Sequence, residues 1–416
     1  MSRLFDVIVV GGGAAGACTA ALMATGSRRV GLLDIRTPQR PDAEKDIDPR
    51  VAAISPGSRN ILIAAGAWPL LDGKRIGSYD RMRVVSGRHS IDFRASDHGL
   101  SQLGWILEIP AVERALWDAL EARGQVEFLT GHRLASMGSR AGELRLHLDD
   151  GSRVDTRLLV AADGGQSRVR REAGIETDTW HYNQSAIVAH LETEQPNQGL
   201  AWQRFTDSGP LALLPLPGGR SSLVWSVPAQ MAAELTSGAE EQFLETVYAA
   251  AGESFGRITG TSRRMSFSLV RRQARSLTAP GLALVGDAAR TVHPLAGQGL
   301  NLGLADAAAL AEEFEPWRPG GDTAAPLQRY KRWRTSSGSL LAGGIHGINE
   351  LFNSSLPGLK NLAGVGMTLS GFAWPVRDAF ARRAAGMDGD SPRIARTPDP
   401  EATGDVEGKP GPGTGP

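Results

Sequence analysis

The sequence predicts an α/β protein in which a parallel sheet is interrupted by an antiparallel one. Three observations predict it. Near the N-terminus an apolar run, Phe5–Val10, leads into GGGAAG and a small-residue stretch ending near Ala24. Far downstream, Leu282–Val285 is a short apolar run bounded by Gly281 and Gly286, followed by Asp287, a glycine loop and an alanine- and leucine-rich stretch from about Leu300. Between them, Ser185–Leu191 and Leu211–Val227 carry strand signals with prolines and glycines in between. Strands that alternate with helices build parallel sheets, whereas runs of strands build antiparallel ones.

A chain of 416 residues holds two or three domains' worth of material and can bury a large core. Lys plus Arg equals Asp plus Glu, 45 each, which argues against a nucleic-acid partner and a wholly basic membrane-binding surface. The single cysteine, Cys18, excludes an intramolecular disulfide and fits a reducing, cytoplasmic compartment. Eight scattered histidines without a cysteine pair give no zinc spacing, so no metal is expected. Val7–Ala24 is largely apolar, but Asp6 precedes it and three consecutive glycines interrupt it. It reads as neither a signal peptide nor a spanning helix.

The first motif has a mechanism. Phe5–Val10 reads as a strand buried on both faces. Gly11, Gly13 and Gly16 then follow a G-x-G-x-x-G pattern. The first glycine makes the turn, the second lets backbone approach a pyrophosphate, and the third packs helix on strand. Ala14 and Ala15 open the helix and join the expected cofactor contacts. A second strand, Val30–Leu33, ends in Asp34, placed to accept hydrogen bonds from both adenosine ribose hydroxyls. An acid there argues for a free 2′-hydroxyl, hence FAD or NAD as the tightly held ligand, and not NADP.

Asp48–Trp68 reads as a turn followed by a helix, and RMRVVSG with HSIDF, inside Lys74–Phe93, as a hairpin that joins the later sheet. Ala111–Leu120 reads as a helix, Glu127–Leu148 as strands closed by a DDG turn, and Leu158–Ala162 as a buried strand leading into Asp163-Gly164. The middle strands, Trp225 included, are expected to wall a pocket whose apolar lining suits a lipophilic aromatic. In the downstream motif Asp287 ends a strand, where ligands of open α/β sheets gather. The helix start near Leu300 turns free N–H groups toward the loop, and such a terminus favours an anionic reduced ring by roughly 0.3–2 kcal/mol.

The stretch GDAARTVHPLAGQGLNLGLADAAAL resembles the second flavin-binding motif of the FAD-dependent aromatic hydroxylases. The resemblance implies that Asp287 holds the ribityl chain, that Pro294 lies against the isoalloxazine ring, and that Gly297, Gln298, Gly299, Leu300 and Asn301 cover its pyrimidine edge. It places Arg50 against the FAD, Arg114 near the pyrophosphate, and Asp163-Gly164 at both FAD and a passing nicotinamide. Arg290 departs from it, since relatives often carry histidine there. His293 is a catalytic candidate only through proximity, beside Pro294; a loop histidine satisfied by backbone is the competing reading.

DPRVAAIS, LGWILEIPAVERAL, AIVAHLETEQPNQGLAWQRF and the downstream motif together resemble the ubiquinone-biosynthesis (2-polyprenylphenol) hydroxylase family, over roughly Asp6–Met387. Ile109 departs from it, at a position where relatives carry a polar residue. The resemblance implies a Rossmann-like FAD-binding domain with an inserted antiparallel-sheet substrate domain, the aromatic hydroxylase fold, and C-terminal helices. It also implies an FAD-dependent monooxygenase using NADH or NADPH transiently, since no second G-x-G-x-x-G exists, and O2 through a C4a-hydroperoxyflavin. Its substrate would be a polyprenylated phenol, and a quinone-biosynthesis complex its setting. A hydroxylase of a soluble phenol and a flavin-binding assembly factor without turnover stay open. No W-x-W-x-I-P segment of the halogenase kind is present.

The expected division is 1–75, 100–180 and 270–325 for the FAD-binding domain, and 76–99 with 181–269 for the substrate domain. Residues 326–387 form a C-terminal helical region, too glycine-broken to span a bilayer. Packing on the flavin domain is its expected main role, with contact to the inner-membrane surface, Arg382 and Arg383 at headgroups, as the alternative. Residues 388–416, rich in Pro, Gly and acids, are expected to be a disordered tail.

Overall fold

Phe5, Val7, Ile8 and Val9 are fully buried because the strand Arg3–Val10 runs through the middle of a parallel sheet. The computed structural model describes residues 3–40, 46–140, 142–292, 298–337, 382 and 385–397. Strand order across the parallel sheet is Leu282–Leu284, Arg153–Ala161, Arg3–Val10, Val30–Asp34 and Val126–Thr130. Val10 pairs with Leu33 on one side and Ala161 on the other, and Ala161 pairs with Leu284. All four strands therefore end at one level, and the segments that follow them emerge along a single carboxyl edge. The helix Ala14–Met23 is buried nearly all round, as its run of small residues allows, and packs between that sheet and the helix Gln298–Glu313.

Among the described residues the second sheet has nine strands. Thr177–Thr193 lies between Met265–Ala274 and Ser221–Pro228, and the hairpin Arg81–Ser86/His89–Arg94 closes the far edge by pairing in parallel with Leu200–Thr206. Side chains alternate across it. Ile187, Leu211, Leu213, Leu223 and Trp225 share one face, covered by the helices Ala229–Ser237 and Glu240–Ala251. Ala201, Leu214 and Leu216 point to the other, against Ala53 and Ile106 of a three-stranded sheet. Each fully buried Leu or Val contributes about 1.5–3 kcal/mol.

Three expectations are corrected. Trp225, 1% exposed, fills the core under the two helices and walls no pocket, because its register puts it on the helix-covered face. Asp48–Trp68 contains a strand, Val51–Ile54, before the helix Pro56–Ala64. Four residues are too few to show a period, and pairing with Gly104–Glu108 makes the strand. The first ten residues of the supposed tail, 388–397, are docked. Asn60 Nδ2 donates to the carbonyls of Ala395 (3.0 Å) and Thr397 (2.8 Å), Arg393 pairs with Glu312, and Ala395 is buried. Specific partners outweigh the composition there; residues 398–416 lie outside the described residues. Of the C-terminal helical region, residues 324–337 are helical and 338–381, 383 and 384, Arg383 among them, lie outside the described residues. Among the described residues no helix is long and apolar enough to cross a membrane.

Candidate functional site

The glycine loop is built by the absence of side chains. Gly11 has φ +102°, and a Cβ there would lie 2.3 Å from the Ala162 carbonyl oxygen. A Cβ on Gly16 would lie 1.9 Å from the Gly11 carbonyl oxygen. These two approaches seat the loop on the end of the neighbouring strand. Asp34, at the end of its own strand, accepts the Gly12 N–H through Oδ2 at 2.5 Å and the Arg36 N–H through Oδ1 at 2.9 Å. A carboxylate can accept about four hydrogen bonds, so capacity for ribose hydroxyls remains. Trp117 Nε1 donates to the Gly12 carbonyl at 2.7 Å and holds the loop from behind. Gly13 is the N-cap of the helix Ala14–Met23 and has no side chain to occupy its first N–H groups, which suits a pyrophosphate.

The second segment meets the first at Ala162, whose N–H donates to Val10 O at 2.8 Å. Asp163 follows. Its Oδ2 accepts the N–H groups of Arg168 (2.7 Å) and Val169 (3.1 Å), while Oδ1 is buried with no hydrogen-bond partner among the described residues. An orphaned buried acceptor at the cleft matches a missing donor. Gly164 turns the chain at φ +81°, and Arg170 ties it to the third segment by donating to Gly165 O and Ala288 O.

Asp287 belongs to the third segment, which follows Leu282–Leu284. Gly286, at φ +58°, packs so closely on Ala15 that a Cβ would lie 3.0 Å from the alanine methyl. Gly303 of the following helix makes the same approach at 3.1 Å. Asp287 opens to solvent on one side but has protein around most of it, so burial raises its pKa while Arg272 pulls it down. No described residue hydrogen-bonds its carboxylate. Behind the turn, Asp306 is fully buried between two arginines. Its Oδ1 accepts from Arg290 Nη2 at 2.8 Å and from Arg334 Nε at 2.7 Å, and its Oδ2 accepts the Gly286 N–H at 3.2 Å. The departure at Arg290 therefore has a structural role: it anchors the turn that presents Asp287.

Other expected residues fall out differently. Asn301 does not offer its side chain to a ligand: Oδ1 accepts the Ser55 N–H (3.0 Å) and Nδ2 donates to Ala53 O (2.7 Å), latching the helix start to Val51–Ile54. Gly299 and Leu300 lie in the first turn of that helix, which begins at Gln298. Arg50 is half exposed beside the cleft, held bidentate by Asp48. Arg114 is buried and donates to Asp118 and Glu121 of its own helix and to Pro38 O. The neighbouring Glu113 faces the loop, 3.5 Å from where a Gly13 Cβ would stand. His293, Pro294 and Gly297 lie outside the described residues, as does the Gln298 side chain.

Sequence reasoning missed Glu113, Arg272, Asp306 and Arg334, whose partners are far apart in the chain. It also missed His190, whose buried Nε2 lies 3.1 Å from Ile47 O and 3.2 Å from Asp48 O. A cavity of about 420 Å³ is lined by Arg59, His98, Gln102, Trp105 and Arg396, none of them on the strands expected to wall a pocket.

Comparison with known proteins bears on this arrangement. Residues 5–341 match the FAD binding domain family. The chain is 33% identical to the mitochondrial ubiquinone biosynthesis monooxygenase COQ6 of Xenopus tropicalis, over 91% of this chain and 94% of that protein. It is 31% identical to the 3-demethoxyubiquinol 3-hydroxylase of Escherichia coli, over 92% and 98%. The fold superposes on p-nitrophenol 4-monooxygenase PnpA from Pseudomonas putida with a TM-score of 0.73 at 16% identity, covering 93% of this chain and 100% of that one. With the glycine loop, Asp163 and Asp287 gathered on one sheet edge, the chain belongs to the FAD-dependent monooxygenase family of the ubiquinone-biosynthesis hydroxylases.

Proposed function

We propose that the chain hydroxylates the aromatic ring of a polyprenylated phenol in ubiquinone biosynthesis, with FAD as resident cofactor, NADH or NADPH as transient reductant and O2 as oxygen source. The observation that carries this reading is the convergence of three sequence-distant segments. Gly11 stacks on Ala162, and Ala15 touches Gly286, so the glycine loop, Asp163 and Asp287 lie together along one edge of the parallel sheet. The glycine loop would take the pyrophosphate, Asp34 the adenosine ribose, Asp287 the ribityl hydroxyls, and the free Oδ1 of Asp163 one further donor. When bound, FAD supplies the electron transfer and oxygen activation; the polypeptide supplies orientation, dryness and electrostatics. The substrate part would be 76–99 with 181–269, inserted into a flavin part of 1–75, 100–180 and 270–325. Work on a prenylated substrate fits a cytoplasmic protein peripheral to the inner membrane, within a quinone-biosynthesis complex.

The test is turnover with matched substrates. Purified protein should carry flavin and oxidise NADH or NADPH faster when a prenylated phenol is present, with one added oxygen in the product by mass spectrometry. Equal stimulation by a bare phenol would move the reading to a soluble phenolic substrate. No stimulation by either would make the chain a flavin-binding assembly factor. Asp287→Ala should fold normally and lose FAD affinity by about ten- to hundredfold, the worth of a hydrogen bond to a charged group.

A further inference from the structure

The expected visitor to the first N–H groups of the helix Ala14–Met23 is a pyrophosphate, yet the protein already holds a carboxylate there. Glu113 stands on the first turns of the helix Ile109–Arg123. Its Oε1 lies 3.5 Å from the position of a Gly13 Cβ, next to the backbone N–H of Ala14 that opens the helix. No other acid lies in the first turn of the glycine-loop helix, and Gly13 caps nothing with a side chain. Glu113 thus occupies the anion position at that terminus.

We infer that Glu113 must take up a proton for the cofactor's diphosphate to settle on the glycine loop, so that FAD binding to this chain is proton-coupled. The inference rests on the reading that FAD fills this cleft. The groups facing Glu113 come from three elements: Asp34 from the end of Val30–Asp34, Asp48 and Arg50 from the stretch before Val51, and the Ala14 N–H from the helix. Burial, Asp34 and Asp48 push its pKa up, while Arg50 and the Ala14 N–H pull it down; the sum is upward. Arg114, the next residue, points away to Asp118 and Glu121 and does not neutralise it. Arg50 is already held by Asp48, so it is shared between two acids. A diphosphate arriving beside Glu113 is a further like charge, which raises the pKa again. Between the value in the free protein and the value in the complex, binding therefore takes up a proton, and affinity falls as pH rises.

The experiment is FAD titration of the flavin-stripped full chain, followed by flavin fluorescence from about pH 5.5 to 8.5, where the diphosphate stays ionised. For the wild type, Kd should rise with pH by up to about tenfold per unit over part of that range. Glu113→Gln keeps the size and the hydrogen-bonding reach without the charge. It should bind FAD with a flat profile, matching the wild type at the acid end and exceeding it by about tenfold or more at the alkaline end. Glu113→Ala should share the flat profile, which guards against an effect of the amide itself. A flat wild-type profile, or a Glu113→Gln profile as steep as the wild type's, overturns the inference while leaving FAD binding intact. Failure of the wild type to bind FAD at any pH overturns the flavin reading and this inference with it.

Discussion

The two ends of the cleft are held by opposite means. At the glycine-loop end the structure depends on side chains that are missing: Gly11 and Gly16 let backbone lie against backbone, Gly12 leaves room for the Trp117 ring, and Asp34 is set by the N–H groups of Gly12 and Arg36. At the Asp287 end it depends on side chains that are present and charged. Asp306 is buried between Arg290 and Arg334 and bonds the turn through Gly286 N–H. Steric fit is local and can be read along a few residues. A buried ionic triad gathers residues 290, 306 and 334 from three elements, and it carries one more positive than negative charge. The first end should therefore fail by steric crowding and the second by loss of charge balance.

The largest effect is expected at the triad. Removing one partner of a buried ion pair leaves an uncompensated charge and costs about 3–5 kcal/mol; here Asp306→Asn would strand two guanidiniums. Its melting temperature should fall by about 5 °C or more, with parallel loss of bound flavin. A variant that melts with the wild type and keeps its flavin would mean that water screens the triad, and the contrast between the two ends would vanish. Tyr330 reports on the same spot, because its hydroxyl donates to Leu284 O at 2.8 Å under the strand that leads to Asp287.

A smaller penalty belongs to the glycine end. Gly16→Ala puts a methyl carbon 1.9 Å from the Gly11 carbonyl oxygen and 2.9 Å from the Ala162 methyl. Both neighbours are short of room to move, and overpacking of this kind costs about 1–3 kcal/mol. The expected outcome is a folded protein with a lower denaturation midpoint and weakened FAD retention. Gly138→Ala is the matched control, since nothing lies within 4 Å of a Cβ there and its φ is not positive. Equal flavin retention in the two variants would remove the role given to the close approach.

This division also explains what was legible in the sequence. The parallel sheet, its glycine loop and the acid at position 34 obey short-range rules, and the strand ends fall within a few residues of where apolar runs stop. Register is what the sequence hid. Trp225 alternates onto the helix-covered face and not toward the cleft, and alternation alone does not say which face is which. The two helices behind it, Ala229–Ser237 and Glu240–Ala251, broke an expected run of strands. Arg114 and Glu113 are adjacent on one helix, and a turn of about 100° between neighbours decided which one met the glycine loop. Asp306 reads in sequence as one acid on an alanine-rich helix, and only the meeting with Arg290 and Arg334 makes it structural.

The smallest expected effect lies where the nine-stranded sheet meets the cleft, and it sharpens the contrast by testing a neutral buried contact. His190 is 2% exposed, and its Nε2 faces the carbonyls of Ile47 and Asp48, just before Arg50. Carbonyls only accept, so Nε2 carries the proton and Nδ1, which has no partner among the described residues, is bare. Burial lowers the pKa, opposed by the two carbonyls and Asp46 and reinforced by Arg220. The unfolded chain, with His190 near the ordinary value of about 6.5, therefore binds the proton more readily than the folded one. Its contribution is fully present above about pH 6.5 and declines as pH falls toward the lowered folded value, by at most about 1.4 kcal/mol per pH unit. His190→Gln keeps a donor for the same carbonyls and cannot titrate. Denaturation midpoints measured between about pH 7 and 5 should fall more steeply for the wild type than for this variant. Parallel curves would mean that another group sets the acid limit and that the sheet's hold on the Arg50 stretch does not depend on the charge of His190.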